Sequence, residues 1–254
     1  MFKKFLLSLK AIKNIAPLIF DYMGLIKKDI IYKLRNGTKI IARGGSTDAA
    51  EIIIINSGQE YPKKYFPKNY QAVIIDAGAN IGAFSIYIAK KLFNNKPIIY
   101  SIEPSINNFS YLEKNIKLNN FINCINIYNL GFYNKNGVGY IDLQKKYDSY
   151  AVMDSADCAN YEKVNLATLE DFCGKNKINK IDLLKMDIEG GEYCIFYDSI
   201  EFIKEHVGKI FIEVHYLDEE KNINNFIKFV KTNNFKIIDI IMNRTLILEN
   251  NNKR

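Results

Sequence analysis

Cysteine is scarce in this chain, and its spacing excludes two common roles for the thiol. The four cysteines are Cys124, Cys158, Cys173 and Cys194. No two of them form a Cys-x-x-Cys pair, which zinc knuckles and thiol redox sites both need, so neither kind of site is expected. The sequence therefore predicts reduced thiols in a cytoplasmic protein.

The N-terminal stretch lacks a long uncharged apolar run. Lys10 and Lys13 interrupt the apolar residues of Met1–Phe20, so this stretch is too charged for a transmembrane helix, and no small-residue cleavage site follows it. Its apolar residues fall at helical spacing instead: Phe2, Phe5, Leu6, Leu9 and Ile12. We expect one amphipathic helix that packs on its own domain or on a second subunit. A basic helix of this kind could also lie on a membrane surface.

Acidic residues are outnumbered by basic ones. The chain has 35 Lys and Arg against 28 Asp and Glu, with a net charge of +7. This balance permits a polyanionic partner, but general lysine enrichment explains it better. We therefore expect a basic solvated surface and no nucleic-acid partner.

The order of predicted elements indicates an α/β fold. No internal repeat or composition shift divides the 254 residues, which fit one large domain with an N-terminal appendage. We predict a helix and β-hairpin extension over residues 1–70, packed on a ligand-binding domain over residues 71–250. Strand and helix patterns alternate in the second part. This alternation predicts a mostly parallel sheet with helices on both faces and a closing antiparallel hairpin.

The apolar patterns give bounds for these elements, and a long irregular loop is expected over Tyr133–Val164. The predicted strands are Ile30–Leu34, Lys39–Ala42, Val73–Ile75, Ile98–Ile102, Ile125–Leu130, Ile181–Met186, Ile210–Val214, Lys236–Met242 and Thr245–Leu248. The predicted helices are Asp48–Ile55, Ala83–Leu92, Asn107–Asn119, Leu169–Cys173 and Ile223–Lys231.

A glycine turn between a predicted strand and a predicted helix is the most informative stretch. Residues 74–82 read Ile-Ile-Asp-Ala-Gly-Ala-Asn-Ile-Gly. Gly78 and Gly82 let the backbone approach a ligand closely, and the helix start offers free N–H groups. Asp76 and Asn80 stand where the dinucleotide fingerprint requires glycine, so no diphosphate is expected. A carboxylate suits a positively charged ligand, and S-adenosylmethionine carries both a sulfonium and an ammonium group.

A second carboxylate, Glu103, ends the next apolar strand, and Pro104 stops that strand. Glu103 follows Gly82 by 21 residues. This is close to the roughly 20 residues at which an acidic residue binds ribose hydroxyls in Rossmann-type sites. The sequence therefore predicts a nucleoside-binding βαβ unit. Its expected cofactor-binding residues are Asp76, Gly78, Asn80, Gly82 and Glu103.

Further along the chain, carboxylates follow two more predicted strands. Residues 185–192 read Lys-Met-Asp-Ile-Glu-Gly-Gly-Glu, with Asp187 at the strand end and Glu189 just after it. Glu213 and His215 flank the end of the next strand. Ligands of open α/β sheets bind beyond the carboxyl ends of the strands, so these groups should lie at the same edge as the glycine turn. Such a cluster could supply a general base or hold a divalent metal.

Taken in order, these motifs resemble those of the FkbM family of S-adenosylmethionine-dependent methyltransferases. The resemblance rests on the glycine turn, Ile-Glu-Pro at 102–104, Thr-Leu-Glu-Asp at 168–171 and Leu-Leu-Lys-Met-Asp-Ile-Glu-Gly-Gly-Glu at 183–192, with Arg43, Asp48 and Glu51 similar to an upstream element. Two departures are Gly191, where the family usually has alanine, and Glu170, where it often has aspartate. The resemblance implies a Rossmann-like class I methyltransferase fold and O-methylation, typically of sugar or polyketide hydroxyls.

The residues and the resemblance together predict an O-methyltransferase that acts on a hydroxyl of a sugar, a glycan precursor or a related small molecule. The glycine turn and its leading carboxylate would hold the methionine moiety, and Glu103 would bind the ribose hydroxyls. Asp187 and Glu189 would lie near the acceptor, with His215 as the candidate base. In the long loop, Tyr147, Tyr150 and Tyr161 could pack on a sugar face: this would make the loop part of the acceptor site.

A nicotinamide oxidoreductase is a further alternative, against which the absent glycine fingerprint argues. Two other functions stay open at this point. One is a nucleic-acid methyltransferase, which the basic charge alone supports. All five prolines precede position 105, so no Asn-Pro-Pro-Tyr-like motif can follow the fourth strand, and no Pro-Cys pair exists for cytosine chemistry. The other is a non-catalytic nucleoside-binding module, against which the intact strand-end carboxylates argue.

Overall fold

The computed structural model describes residues 2–144, 151–153, 155–156 and 160–251. The strands are β1 Ile30–Lys33, β2 Lys39–Ala42, β3 Val73–Ala77, β4 Ile98–Ile102, β5 Ile125–Tyr128, β6 Gly131–Phe132, β7 Gly137–Asp142, β8 Val152–Met153, β9 Tyr161–Ala167, β10 Ile181–Met186, β11 Val207–Glu213, β12 Phe235–Ile241 and β13 Thr245–Asn250. The α-helices are α1 Phe2–Ala11, α2 Ile15–Tyr22, α3 Asp48–Asn56, α4 Ala83–Lys91, α5 Ile106–Leu118, α6 Leu169–Lys175, α7 Glu192–Asp198, α8 Ile200–His206 and α9 Ile223–Thr232.

The central sheet has the order β12-β13-β11-β10-β3-β4-β5. The pairs from β11 through β10, β3 and β4 to β5 are parallel, whereas β13 runs antiparallel to both of its neighbours. The predicted α/β fold, with a mostly parallel sheet and a closing antiparallel hairpin, is therefore confirmed. The parallel order also brings the carboxyl ends of β3, β4, β10 and β11 to one edge.

Side chains of the central strands bury two opposite faces of this sheet. Successive residues of a strand point to opposite faces. Ile74 and Leu183 join one hydrophobic cluster, whereas Ile75 and Leu184 join the other. Both clusters contain buried helix residues, so helices cover both faces, as the uninterrupted apolar strands predict.

The predicted amphipathic helix is present as α1, but it ends at Ala11, and a second helix, α2, was not predicted. Ile12 pairs with Leu34 in an antiparallel bridge, and the Asn14 side chain bonds the backbone of Ile31 and Lys33. The Lys13 N–H donates to the Lys33 carbonyl and the Ala11 carbonyl accepts from the Arg35 N–H, so the hairpin takes backbone groups that a continuous helix would use. Ile12 is fully buried in the same cluster as the central sheet, so the extension packs on the core. None of the described helices is long and apolar enough to cross a membrane.

The stretch expected to be an irregular loop, Tyr133–Val164, instead supplies β7, β8 and the start of β9 to a second sheet with the order β6-β9-β7-β8. Gly139 in β7 suggests a strand breaker, but it is a point of close packing. A Cβ there would lie 2.9 Å from side-chain atoms of both Leu166 and Val152. Tyr161 starts β9 and packs against Tyr140, with ring centroids 5.2 Å apart. The other two tyrosines named for the acceptor, Tyr147 and Tyr150, lie outside the described residues.

Candidate functional site

The glycine turn joins β3 to α4, and both of its glycines are required by close contacts. Gly78 and Gly82 have φ angles of 74° and 89°. A Cβ on Gly78 would lie 1.8 Å from the carbonyl oxygen of Asp187, and one on Gly82 would lie 2.7 Å from Leu112. The first glycine therefore lets the ends of β3 and β10 meet. The second lets α5 pack against the turn, so Gly82 has a structural role in the site.

Asp76, the leading carboxylate of the turn, is buried beneath the site. It has no exposed surface and accepts a 2.5 Å hydrogen bond from the Ser85 hydroxyl. The Lys185 ammonium lies 3.3 Å from its other oxygen and donates to the carbonyl of Gly78 at 2.8 Å. Asp76 is thus neutralised by a cation of the neighbouring strand and does not line the cavity described below.

Glu103, at the end of β4, is tied to the turn by the backbone. Its carboxylate accepts hydrogen bonds from the N–H of Asn80 at 2.8 Å and from the N–H of Ser105 at 3.0 Å. Burial raises the pKa of Glu103 to about 7, although these hydrogen bonds oppose the shift. The sequence prediction that Glu103 and the glycine turn lie together is therefore met in the structure.

Asn80 connects this turn to the N-terminal extension. Its side-chain amide donates a 2.6 Å hydrogen bond to Glu51, one turn into α3. Arg43 pairs with Asp48 at 2.7 Å and also donates to Asn108 at 2.7 Å. These contacts fix the start of α3 against α5 and hold Glu51 next to the turn.

The second group of carboxylates surrounds His215 at the ends of β10 and β11. The Nε2 atom of His215 lies 3.4 Å from Glu213, 3.5 Å from Glu189 and 3.9 Å from Asp187. Its Nδ1 atom bonds the fully buried Glu192 at 2.9 Å. The sequence prediction that the strand ends bring these acidic groups and the imidazole together is met.

The protonation of this cluster follows from its crowding. Burial lowers the pKa of His215, but hydrogen bonds to Glu192 and Glu213 outweigh this effect and raise it to about 11. His215 is therefore an imidazolium at neutral pH. Burial raises the pKa of Asp187 to about 6 and that of Glu189 to about 7. These two carboxyl groups consequently titrate close to neutral pH.

At the Gly-Gly turn after β10, backbone N–H groups bond the side chain of Glu192. Glu192 accepts hydrogen bonds from the N–H groups of Ile188 at 2.9 Å and Gly190 at 2.8 Å. Those donors are thus used internally, and they hold the Glu192 carboxylate against His215. Glu192 therefore stabilises the turn and is not one of the residues that line the cavity described below.

Sequence reasoning missed Glu60 and Arg244. The Arg244 guanidinium lies 2.7 Å from Glu213 and 3.8 Å from Glu60. Burial and the charge of Glu213 raise the pKa of Glu60 to about 8. Glu60 lies in a loop and Arg244 at a hairpin tip, with no periodic pattern or motif around them, so the sequence offers no signal for either.

A cavity of about 400 Å³ joins these two groups of residues at the strand-end edge. Its volume lies within the roughly 300–1,000 Å³ of small-molecule sites. The titratable groups that line it are Glu51, Glu60, Glu103, Asp187, Glu189 and Glu213 together with Lys185, His215 and Arg244. Six acidic side chains line the cavity beside three basic ones, and a bound cation would favour the ionised form of those acids whose pKa values are raised.

Three side chains of the second cluster could together hold a cation. One ligand atom from each of Asp187, Glu213 and His215 lies within 4.8 Å of the other two. In the protonated state described above, His215 itself supplies a positive charge to this group. A divalent ion would have to displace that proton before the imidazole could act as a ligand.

Known proteins share both the sequence pattern and the fold of this chain. The Methyltransferase FkbM domain matches residues 76–245. Methyltransferase 1 of Beauveria bassiana (strain ARSEF 2860) is 24% identical in an alignment 139 residues long. This alignment covers 47% of this chain and 55% of that protein. The crystal structure of methyltransferase FkbM from Methylobacillus flagellatus KT superposes with a TM-score of 0.53 at 14% identity. The superposition covers 80% of this chain and 53% of the other.

The chain spans about half the length of each of these two relatives. The structural likeness confirms the Rossmann-like class I methyltransferase fold. The family match contains the glycine turn, Glu103 and the whole carboxylate cluster around His215. It begins after the extension that carries Glu51 and Glu60. On this match, which spans more than half of its residues, the chain belongs to the FkbM methyltransferase family.

Proposed function

We propose that the protein is an S-adenosylmethionine-dependent O-methyltransferase that acts on a hydroxyl of a sugar, a glycan precursor or a related small molecule. The observation that carries this proposal is the acidic cavity that extends from Glu103 to the cluster around His215. A cofactor bound at one end and an acceptor at the other would meet inside it. Methyl transfer is an in-line displacement, and holding both partners in line supplies much of its rate.

The residues at the β4 end suit this cofactor. S-adenosylmethionine supplies an electrophilic methyl group on a sulfonium, and it also carries an ammonium group. The excess of carboxylates in the cavity fits a ligand with two positive centres. Glu103 keeps acceptor capacity for ribose hydroxyls beyond its two backbone hydrogen bonds. Gly78 lines the cavity at the turn, and Asp76 holds Lys185, whose ammonium donates to the Gly78 carbonyl.

At the other end, we assign the base to Glu189, with Asp187 beside it. Glu189 lines the cavity, and its backbone is held in the left-handed region, with φ of 54°. Such strain in a non-glycine residue is typical of functional sites. A base with a pKa near 7 is well matched to neutral conditions. The Glu189 carboxylate would take the hydroxyl proton as the acceptor oxygen forms its bond to the methyl group and the sulfur–methyl bond breaks.

His215 is better suited to hold the carboxylates than to act as the base predicted from the sequence. An imidazolium has no free lone pair with which to accept a proton. Its positive charge lets Glu189, Glu213 and Asp187 lie close together. A divalent cation in the same place would do similar work. Assays with magnesium and with a chelator separate these two arrangements, because only the second loses activity on chelation.

The charge of the cavity disfavours the nucleic-acid alternative. A phosphate backbone entering this edge would meet six acidic side chains, and those that are ionised, such as Glu213, would repel it where water is excluded. The basic net charge of the chain lies elsewhere on its surface. We therefore retain a neutral or cationic acceptor, and a polyhydroxylated one fits a wall rich in carboxylate acceptors.

The test begins with calorimetric titration of S-adenosylmethionine and of NAD, where only the first should bind. Transfer of a labelled methyl group is then measured on a panel of sugars and glycan precursors, each paired with the analogue that lacks one hydroxyl. We expect labelling that disappears with a single hydroxyl. Transfer to nitrogen or to RNA would refute the proposed acceptor class, and NAD binding would refute the cofactor.

A further inference from the structure

The carboxylate that opens the glycine turn is not available to a ligand in this protein. Asp76 is fully buried and already carries the Lys185 ammonium and the Ser85 hydroxyl. An ammonium group of a bound cofactor would therefore need another anionic partner near the turn. Such a partner must line the cavity and touch the turn directly.

Glu51 meets both conditions. It lines the cavity, and one of its carboxylate oxygens accepts the 2.6 Å hydrogen bond from the Asn80 side chain. Its second oxygen has no hydrogen-bond partner among the described residues. That oxygen is left with capacity for a donor that arrives with the ligand.

The positions of Glu51 and Glu103 indicate how a bound ligand would be oriented in the cavity. Asn80 touches both carboxylates: its backbone N–H donates to Glu103 and its side-chain amide to Glu51. Apart from Asp48, which precedes it on α3, the charged groups that act most on Glu51 are Lys185 and Asp187 of the β10 end. Glu51 lines the cavity beside the glycine turn, where it is bound by Asn80, and this is where we place the amino-acid part of the cofactor.

We propose that Glu51 binds the ammonium group of the methionine moiety and so replaces Asp76 in this role. The inference rests on the proposed use of S-adenosylmethionine and adds a residue that precedes the family match at 76–245. Burial and the neighbouring Asp48 raise the pKa of Glu51 well above its usual range, so a cation that enters the cavity would favour its ionised form. The Arg43–Asp48 ion pair holds α3 in place, so Glu51 is already positioned before the ligand arrives.

The test is a double-mutant cycle in which one change is made on the protein and the other on the ligand. Calorimetry measures the affinities of the unmodified protein and of Glu51→Gln for S-adenosylhomocysteine and for its analogue without the amino group. Glu51→Gln should weaken S-adenosylhomocysteine about tenfold to a hundredfold, the range for a hydrogen bond to a charged group. The deaminated analogue should bind both proteins equally. A cycle with additive effects would overturn the proposal.

Two controls separate this inference from the proposed function. Glu103→Gln should weaken both ligands to the same extent, because ribose is present in each. Failure of the unmodified protein to bind S-adenosylhomocysteine would instead refute the cofactor itself. A Glu51→Gln protein that binds the cofactor normally but shows a raised acceptor KM would place Glu51 at the acceptor and also overturn the proposal. If Glu51→Gln does not fold, the unmodified protein alone tests the proposal, since equal affinity for the two ligands would exclude any carboxylate partner of the ammonium.

Discussion

At the β4 end of the cavity, Glu103 accepts hydrogen bonds from two backbone N–H groups, whereas at the β10–β11 end Glu189 and Glu213 face the ring of His215. Backbone donors are fixed by the fold and stay in place at any pH. The second arrangement depends on a proton on His215 and on neighbouring side chains. The pKa of Glu103 is also raised to about 7, so the two ends differ in their contacts: backbone groups fix the geometry of the first end, whereas the second end depends on the protonation of several side chains.

The substitution Glu189→Gln tests the reactive end most directly. Removing a positioned base should lower kcat by about a hundredfold or more. Calorimetric affinity for S-adenosylmethionine should change little, because Glu189 lies away from Glu103 and Asn80. Full activity in this variant would remove Glu189 from the mechanism. A parallel loss of cofactor affinity would mean that the two ends are not separate.

Asp187→Asn tests both ends at once, because Asp187 lies near Lys185 and near His215. Asp187 lies 3.7 Å from Lys185 and 3.9 Å from His215. Turnover should fall by roughly a hundredfold, the scale for losing a group that acts on the acceptor proton. The fold should persist or be slightly more stable, since repulsion among the carboxylates is reduced. A melting curve beside an initial-rate assay checks this, and joint loss of folding and activity would assign Asp187 to structure.

Glu103→Gln tests the end held by the backbone. The amide keeps the shape of the side chain but loses the charge that favours hydroxyl donors, so cofactor affinity should drop about tenfold to a hundredfold. Acceptor KM should stay close to that of the unmodified protein. Calorimetry and steady-state rates measure the two quantities separately. Unchanged cofactor affinity would refute the assignment of Glu103 to the ribose hydroxyls.

The pH dependence of stability gives the smallest effect. The raised pKa values of Asp187, Glu189, Glu103, Glu60 and His215 mean that the folded protein binds more protons than the unfolded chain between about pH 4.5 and 9. Stability of the ligand-free protein should therefore fall as pH rises through 6 to 8. A pKa difference of one between the two states is worth about 1.4 kcal/mol.

We expect a total loss of about 1 to 3 kcal/mol between pH 5.5 and 8.5, because the groups are coupled and partly compensate one another. Urea unfolding at fixed temperature measures it. Glu60→Gln is the matched variant, since an amide in this place does not ionise and should flatten the profile between about pH 5 and 8. A rise in stability with pH would show that these carboxyl groups are already ionised in the folded protein at pH 5.5. Glu213, whose pKa is lowered, affects only the range below about pH 4.5.

The features of the site that the sequence predicted are those set by position along a strand. The parallel sheet places every strand end at one edge, so Glu103, Asp187 and His215 had to meet there. The glycines were recognisable because the turn needs positive φ angles and close backbone contacts. The role of Asp76 was not recognisable in this way. Its burial depends on Lys185, which arrives from a neighbouring strand more than a hundred residues later.

Two other parts of the structure could not be predicted from the sequence, because they also depend on contacts between distant parts of the chain. Glu60 and Arg244 reach Glu213 from a loop and a hairpin tip, and only the tertiary fold brings them there. The glycines of the small sheet, β6 to β9, predicted an irregular loop. At Gly139 the missing side chain serves packing between strands, which a single sequence does not distinguish from a break in the strand.

The hydrogen bond between Asn80 and Glu51 has a consequence for recombining this protein with its relatives. The residues matched by the family begin at 76, yet a wall of the cavity comes from α3, well before that point. A chimera joined near residue 70 would set a foreign α3 against the native Asn80. Each part would keep its own structure, but the contact between α3 and Asn80 would be lost. Exchange of residues 43–61 together with the core is therefore the smallest graft that keeps the cavity whole.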